Sequence, residues 1–134
     1  MNTVTLTIKD ENTSVSVFNE FSISVLLEDK SIKARDLIKA RISAEVENYN
    51  KQKPEYFNGL VQPTDAERTL NGYKLKTKKM INLNEQYVTA LDAFERNGYI
   101  MLVNCKQVES LDEDVLVDKF STINFIKLVP LKGG

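Results

Sequence analysis

Thr3, Thr5 and Thr7 alternate with Val4, Leu6 and Ile8 at the start of the chain, a period of two that buries one face of a strand. Asp10 to Ser14 (DENTS) carry turn chemistry. Val15, Val17, Phe21, Ile23, Val25 and Leu27 then mark a second extended stretch over 15–27. Together the two predict an antiparallel hairpin with a long second arm. From Ser31 the spacing changes to three and four: Ala34, Leu37, Ile38, Arg41, Ile42, Glu45, Val46 and Tyr49 share one stripe of a helix. Ser31 is the expected N-cap, and the helix is expected to end by Lys53, because Pro54 disfavours helical geometry in the residue before it.

Residues 51–80 are punctuated by Pro54, Asn58-Gly59, Pro63 and Asn71-Gly72. Thr64-x-x-Glu67 has the form of a capping box and predicts a helical turn over 64–70. Lys74, Lys76, Lys78 and Lys79 follow without interleaved stacking aromatics and are read as a solvated basic loop. A second helix is expected from about Leu83 to Arg96, capped by Asn82 or Asn84 and stopped by Asn97-Gly98. Its apolar face is Tyr87, Leu91 and Phe94, with Val88 and Ala90 alongside. Tyr99 to Val103 are apolar at every position, the pattern of a strand buried on both faces. Asn104-Cys105 turn the chain, Lys106-Gln107-Val108 form a short extended piece, and Leu111 to Leu116 suggest a helical turn. The last strand spans 122–129, and Pro130-Leu131-Lys132-Gly133-Gly134 leave it.

This order predicts an α+β fold, a mixed sheet packed on a long helix, with the last strand pairing in parallel with the first. Residues 1–134 are expected to form a single domain.

Composition removes whole classes of function. Among 134 residues there is no histidine and one cysteine, so the chain has neither a Ser-His-Asp or Cys-His nucleophile system nor a Cys-x-x-Cys pair. A catalyst could still be built from carboxylates, lysines or tyrosines, but the commonest proton shuttle at pH 7 is missing. An enzyme is therefore the less favoured expectation, no catalytic residue is singled out and no metal site is expected. A formal net charge of −1 argues against a nucleic-acid footprint, which needs clustered excess cations. The amino terminus alternates and long apolar runs are lacking, so no membrane association is expected and a reducing, cytoplasmic location fits best.

The last third is more specific. Leu102-Val103-Asn104-Cys105-Lys106-Gln107-Val108-Glu109, then Leu111, a strand and a final Gly133-Gly134 resemble the second half of ubiquitin. There an apolar strand enters a Gly-Lys-Gln-Leu turn, a short acidic helical turn and a last strand ending in Gly-Gly. Ser31-Ile32 opens the equivalent of the helix of that family. The resemblance covers about 1–50 and 99–134. With the insert at about 52–98 and the Leu128-Val129-Pro130-Leu131-x-Gly-Gly tail, the chain looks like bacterial ubiquitin-like proteins that accompany activating, conjugating and deconjugating, metalloprotease-like enzymes.

The resemblance implies a ubiquitin-like β-grasp fold and the role of a protein modifier. Gly134 would carry a carboxylate that a partner adenylates with ATP, passes to a thiol and joins to a target lysine as an isopeptide bond. Gly133 would leave clearance in a narrow active site, and Pro130 would stiffen the exit from the strand. Nothing follows Gly134, so no trimming protease is expected. Leu131 and Lys132 complete the tail; Lys132 stands where ubiquitin has arginine. Lys106 matches a ubiquitin lysine used in chain building, although a turn lysine is more often only a solvated charge. Cys105 replaces the family's glycine, which predicts an unusual backbone angle and a structural role. Ile126 and Leu128 face opposite to Phe125 and are candidates for a partner-docking surface. Two further readings share this sequence: a sulfur carrier bearing a terminal thiocarboxylate, and an interaction module that is never conjugated.

Overall fold

The computed structural model describes residues 2–13, 17–76 and 80–128. Strands β1 (Asn2–Asn12) and β2 (Val17–Leu27) form the expected antiparallel hairpin. β1 runs on to Asn12, past the turn expected from Asp10. A register shift between Asp10 and Glu11 pairs Asp10 with Asn19 and Glu11 with Val17, leaving Phe18 as an extra residue on β2. Such a bulge absorbs one residue and re-aims its side chain.

A three-residue strand, β3 (Ser31–Lys33), precedes helix α1 (Ala34–Gln52). Ser31 is therefore not the N-cap. Lys33 holds that position without a side-chain capping bond, because backbone carbonyls do the capping: Ala34 N–H donates to Glu113 O and Arg35 N–H to Leu111 O, both at 2.9 Å. Those carbonyls lie just before β8 (Asp114–Leu116), which pairs with β3. The helical turn expected over 111–116 is thus a turn followed by a strand. α1 closes at Lys53, whose positive φ of 44° and N–H bond to Tyr49 O end it where Pro54 requires.

The stretch 52–98, the insert of the sequence comparison with ubiquitin, holds the hairpin β4 (Ala66–Thr69) and β5 (Gly72–Leu75), then helix α2 (Leu83–Glu95). The capping-box expectation at Thr64 fails because Asn71-Gly72 is the stronger signal: Gly72 at φ 125° closes a tight turn and holds 66–69 extended. Asn82 caps α2 by accepting from Glu85 N–H at 3.0 Å. Asn97 rather than Gly98 takes the left-handed angle beyond its end. Ala90 is buried and Tyr87, Leu91 and Phe94 are partly buried, whereas Val88 is 68% exposed and lies off the packed face. α2 lies against α1, with Ser43 Oγ and Tyr87 Oη 2.5 Å apart and Asn50 bonded to both backbone groups of Ile81.

The remaining strands are β6 (Tyr99–Val103), β7 (Lys106–Gln107) and β9 (Thr122–Lys127). The main sheet has five strands in the order β2-β1-β9-β6-β7; β9 pairs in parallel with β1 and antiparallel with β6. Among the described residues the fold is thus mixed α+β, with two helices and a five-stranded mixed sheet. α1 buries Leu37, Ile38, Ile42, Val46 and Tyr49 in one core with Leu6, Ile8, Met101, Ile123 and Phe125 of the sheet. β6 is not buried on both faces: Tyr99, Met101 and Val103 point into the core, while Ile100 and Leu102 are half-buried on the other side.

Candidate functional site

β9 occupies the centre of the sheet and is the last strand among the described residues. Alternation puts Ile123 and Phe125 in the core. Asn124 and Ile126 point to the opposite, outer face and are half-buried, as is Leu128. Across the sheet Ile126 pairs with Ile100 and Asn124 with Leu102. On the other flank Asn124 Nδ2 donates to Glu11 Oε2 at 2.7 Å. Leu128 N–H donates to Gly98 O at 3.4 Å and holds the strand end beside β6.

The sequence candidates Ile126 and Leu128 are therefore joined by Ile100 and Leu102, which the sequence reading placed inside a doubly buried strand. Their outward facing was readable from β6 only as even-numbered positions of an unbroken apolar run, a pattern that does not say which face is solvated. The four side chains form an apolar strip bordered by Asn124 and Glu11 on the face away from α1.

Lys106 is exposed in β7, on the turn that follows this strip. Asn104 and Cys105 both have positive φ, 51° and 68°, so the predicted unusual angle at Cys105 is present. Asn104 fastens the turn to the start of β9: its N–H donates to Thr122 O, its Oδ1 accepts from Thr122 N–H, and its Nδ2 donates to Ser121 Oγ. Cys105 is an exposed free thiol. Pro130, Leu131, Lys132, Gly133 and Gly134 lie outside the described residues, as do Val15, Lys78, Lys79 and Val129.

Beneath β9, a buried ion cluster fixes the strand to α1 and to the insert. The Arg41 guanidinium binds both oxygens of Asp10, donates from Nε to Glu45 Oε1 at 2.5 Å, and stacks 4.6 Å from the Phe125 ring centre. Glu45 in turn accepts from Leu60 N–H at 3.2 Å. Burial works against the Arg41 charge, yet the Glu45 and Asp10 carboxylates outweigh it and hold the guanidinium above its usual range. Burial pushes the Glu45 carboxyl up, and Arg41 only partly offsets this. At the strand end, Lys127 Nζ donates to Gly59 O of the insert at 2.6 Å, and burial lowers its pKa.

Among the described residues no group of three or more His, Cys, Asp or Glu side chains could hold a metal ion, and no helix is long and apolar enough to cross a membrane. No buried side-chain nitrogen or oxygen among them lacks a hydrogen-bond partner. What the arrangement offers is a central strand tied by hydrogen bonds on both flanks and an apolar strip beside it. No family model, curated protein or solved structure matches the chain.

Proposed function

We propose that the chain is a ubiquitin-like modifier of the β-grasp type, activated at the Gly134 carboxylate and transferred through a thioester to a target lysine. The observation that carries this reading is the position of β9. It lies at the sheet centre, parallel to β1 and flanked by β6, and the Gly133-Gly134 terminus follows it. The strand order β2-β1-β9-β6-β7 with α1 across one face supports the β-grasp assignment. The strip of Ile100, Leu102, Ile126 and Leu128 supports docking by partner enzymes, since partly exposed apolar side chains beside a reactive terminus supply binding area where it is needed.

In this reading the chain is a substrate and does not catalyse. An adenylating enzyme joins the Gly134 carboxylate to AMP, releasing pyrophosphate from ATP. A cysteine thiolate of the enzymes then displaces AMP, and the target's lysine amine displaces the thiolate to form an isopeptide bond. A metalloprotease-like deconjugating enzyme reverses the last bond, and the site of action is the cytoplasm. The experiment is to combine the chain, the adenylating and conjugating enzymes from the same cells and ATP, then digest the products with trypsin. Because Lys132 precedes the terminus, trypsin leaves Gly133-Gly134 on the modified lysine. A Gly-Gly remnant on a target lysine supports the modifier. Oxygen-to-sulfur exchange at the terminus, with no remnant, supports the sulfur carrier instead.

A further inference from the structure

Resting on the modifier reading, we infer that the β4–β5 hairpin of the insert and the bulge of β2 together form a second docking surface, one that selects the adenylating enzyme through an acidic and apolar patch on that enzyme. A cleft of about 400 Å³ opens where β9 ends, lined by Lys127, Phe18, Phe57, Arg68, Leu70 and Tyr73 among others. Three separate parts of the chain converge there. The bulge opposite Asp10/Glu11 adds Phe18 to β2, and the Phe18 ring lies 5.5 Å from Lys127 Nζ while remaining 53% exposed. Lys127 is tied to the insert through Gly59. Opposite them stands the hairpin tip.

That tip is held firmly. Thr69 Oγ1 donates to Gly72 O at 2.6 Å and accepts from Asn71 N–H at 3.2 Å. Phe57 and Tyr73 exchange two backbone hydrogen bonds, at 2.7 and 2.9 Å, which fasten the hairpin to the loop after α1. A Cβ at Gly72 would lie 2.6 Å from Asn58 Oδ1, so hairpin and loop are closely fitted. Leu70 is nonetheless wholly exposed at the tip. A turn closed by these bonds needs little backbone ordering on binding, so mainly the Leu70 rotamer cost is set against burial of that side chain.

The charge of the cleft is one-sided. Arg68 is exposed and makes no salt bridge among the described residues, whereas Asp10, the acid that lines the cleft, has both oxygens engaged by Arg41. A partner carboxylate beside apolar side chains is the complement of Arg68, Leu70 and Phe18. The modifier reading supplies the partner. Gly134 stands seven positions beyond Lys127 in the sequence, at most roughly 25 Å of extended chain. An enzyme that closes on the Gly134 carboxylate therefore comes within reach of this cleft.

The test is steady-state ATP–pyrophosphate exchange by the adenylating enzyme with the chain as varied substrate. Leu70→Ser and Arg68→Glu are expected each to raise KM for the chain at least tenfold with kcat held, and Val88→Ser, on the exposed side of α2, to leave both unchanged. Added salt should raise KM for the wild-type chain and have a weaker effect on Arg68→Glu. Exchange with the wild type and unchanged KM in both variants would overturn the inference and leave the modifier reading intact. A defect confined to the later transfer step would assign the surface to the conjugating enzyme and overturn it too. Absence of any exchange with the wild type would remove both readings together.

Discussion

Asp10 of β1 and Arg41 of α1 form a two-point ion pair at the centre of the core, with Nη2 and Oδ2 2.7 Å apart and the two side chains 1% and 0% exposed. Through Glu45 the same guanidinium reaches Leu60 in the insert, so one cation joins sheet, helix and insert. Breaking a buried pair from one side strands the other charge. Arg41→Met is therefore expected to destabilise the fold by about 3–5 kcal/mol, read as a fall in the urea midpoint. Replacing Asp10, Arg41 and Glu45 together by apolar residues of similar volume should recover a large part of the loss, because no unpaired charge remains.

Cys105 is held at φ 68°, a conformation that costs an L side chain about 1 kcal/mol. Cys105→Gly should raise stability by about that amount. Neighbouring Asn104 tolerates the same region and earns no such gain. Equilibrium denaturation checks this, with Cys105→Ala expected to give no stabilisation.

Tyr99 Oη donates to Ala90 O at 2.8 Å, and burial holds its phenol well above the ordinary value of 10.0. The native state keeps this proton where the unfolded chain loses it. The Tyr99 contribution is thus complete below about pH 10 and is lost as pH rises further. Lys127 works in the opposite direction, since burial lowers its value and its contribution grows as pH climbs towards 10.5. Tyr99→Phe should cost about 1 kcal/mol at pH 7 and flatten the alkaline fall in stability. Comparing denaturation at pH 7 and pH 11 for both proteins isolates the effect from Lys127.

Ile126 and Leu102 are half-buried on the outer face, whereas Ile123 is fully buried beneath them. Ile126→Ser and Leu102→Ser should lower transfer to target more than tenfold while costing about 1 kcal/mol of stability. Ile123→Ala should cost about 2–5 kcal/mol and lower transfer only as far as folding is lost. Denaturation midpoints and transfer rates measured on the same preparations separate the two behaviours.

The long elements were legible because their periods are unambiguous: threonine alternation in β1, the three-and-four stripe of α1, and the parallel closure of β9 on β1. The same stripe carried Arg41 and Glu45 into the core positions, a hint of buried charge that periodicity alone does not interpret. The short elements were misread where local chemistry competes with a distant partner. Ser31 is a good cap, but Val115 pairs with Ile32 and backbone carbonyls satisfy the helix start. Thr64-x-x-Glu67 is a good capping box, but Gly72 makes the hairpin. For the site, Ile126 and Leu128 could be named from alternation. Ile100, Leu102, Phe18 and Leu70 could not, because their placement depends on cross-strand register, a bulge and the packing of residues 57–75.

The most direct measurement is the intact mass of the chain after incubation with the adenylating and conjugating enzymes, ATP and target. The account predicts a product in which chain and target are joined with loss of one water, formed by the full sequence and absent when Gly133-Gly134 is deleted. Undiminished joining by the deleted chain, or a full-length chain altered only by oxygen-to-sulfur exchange, would contradict it.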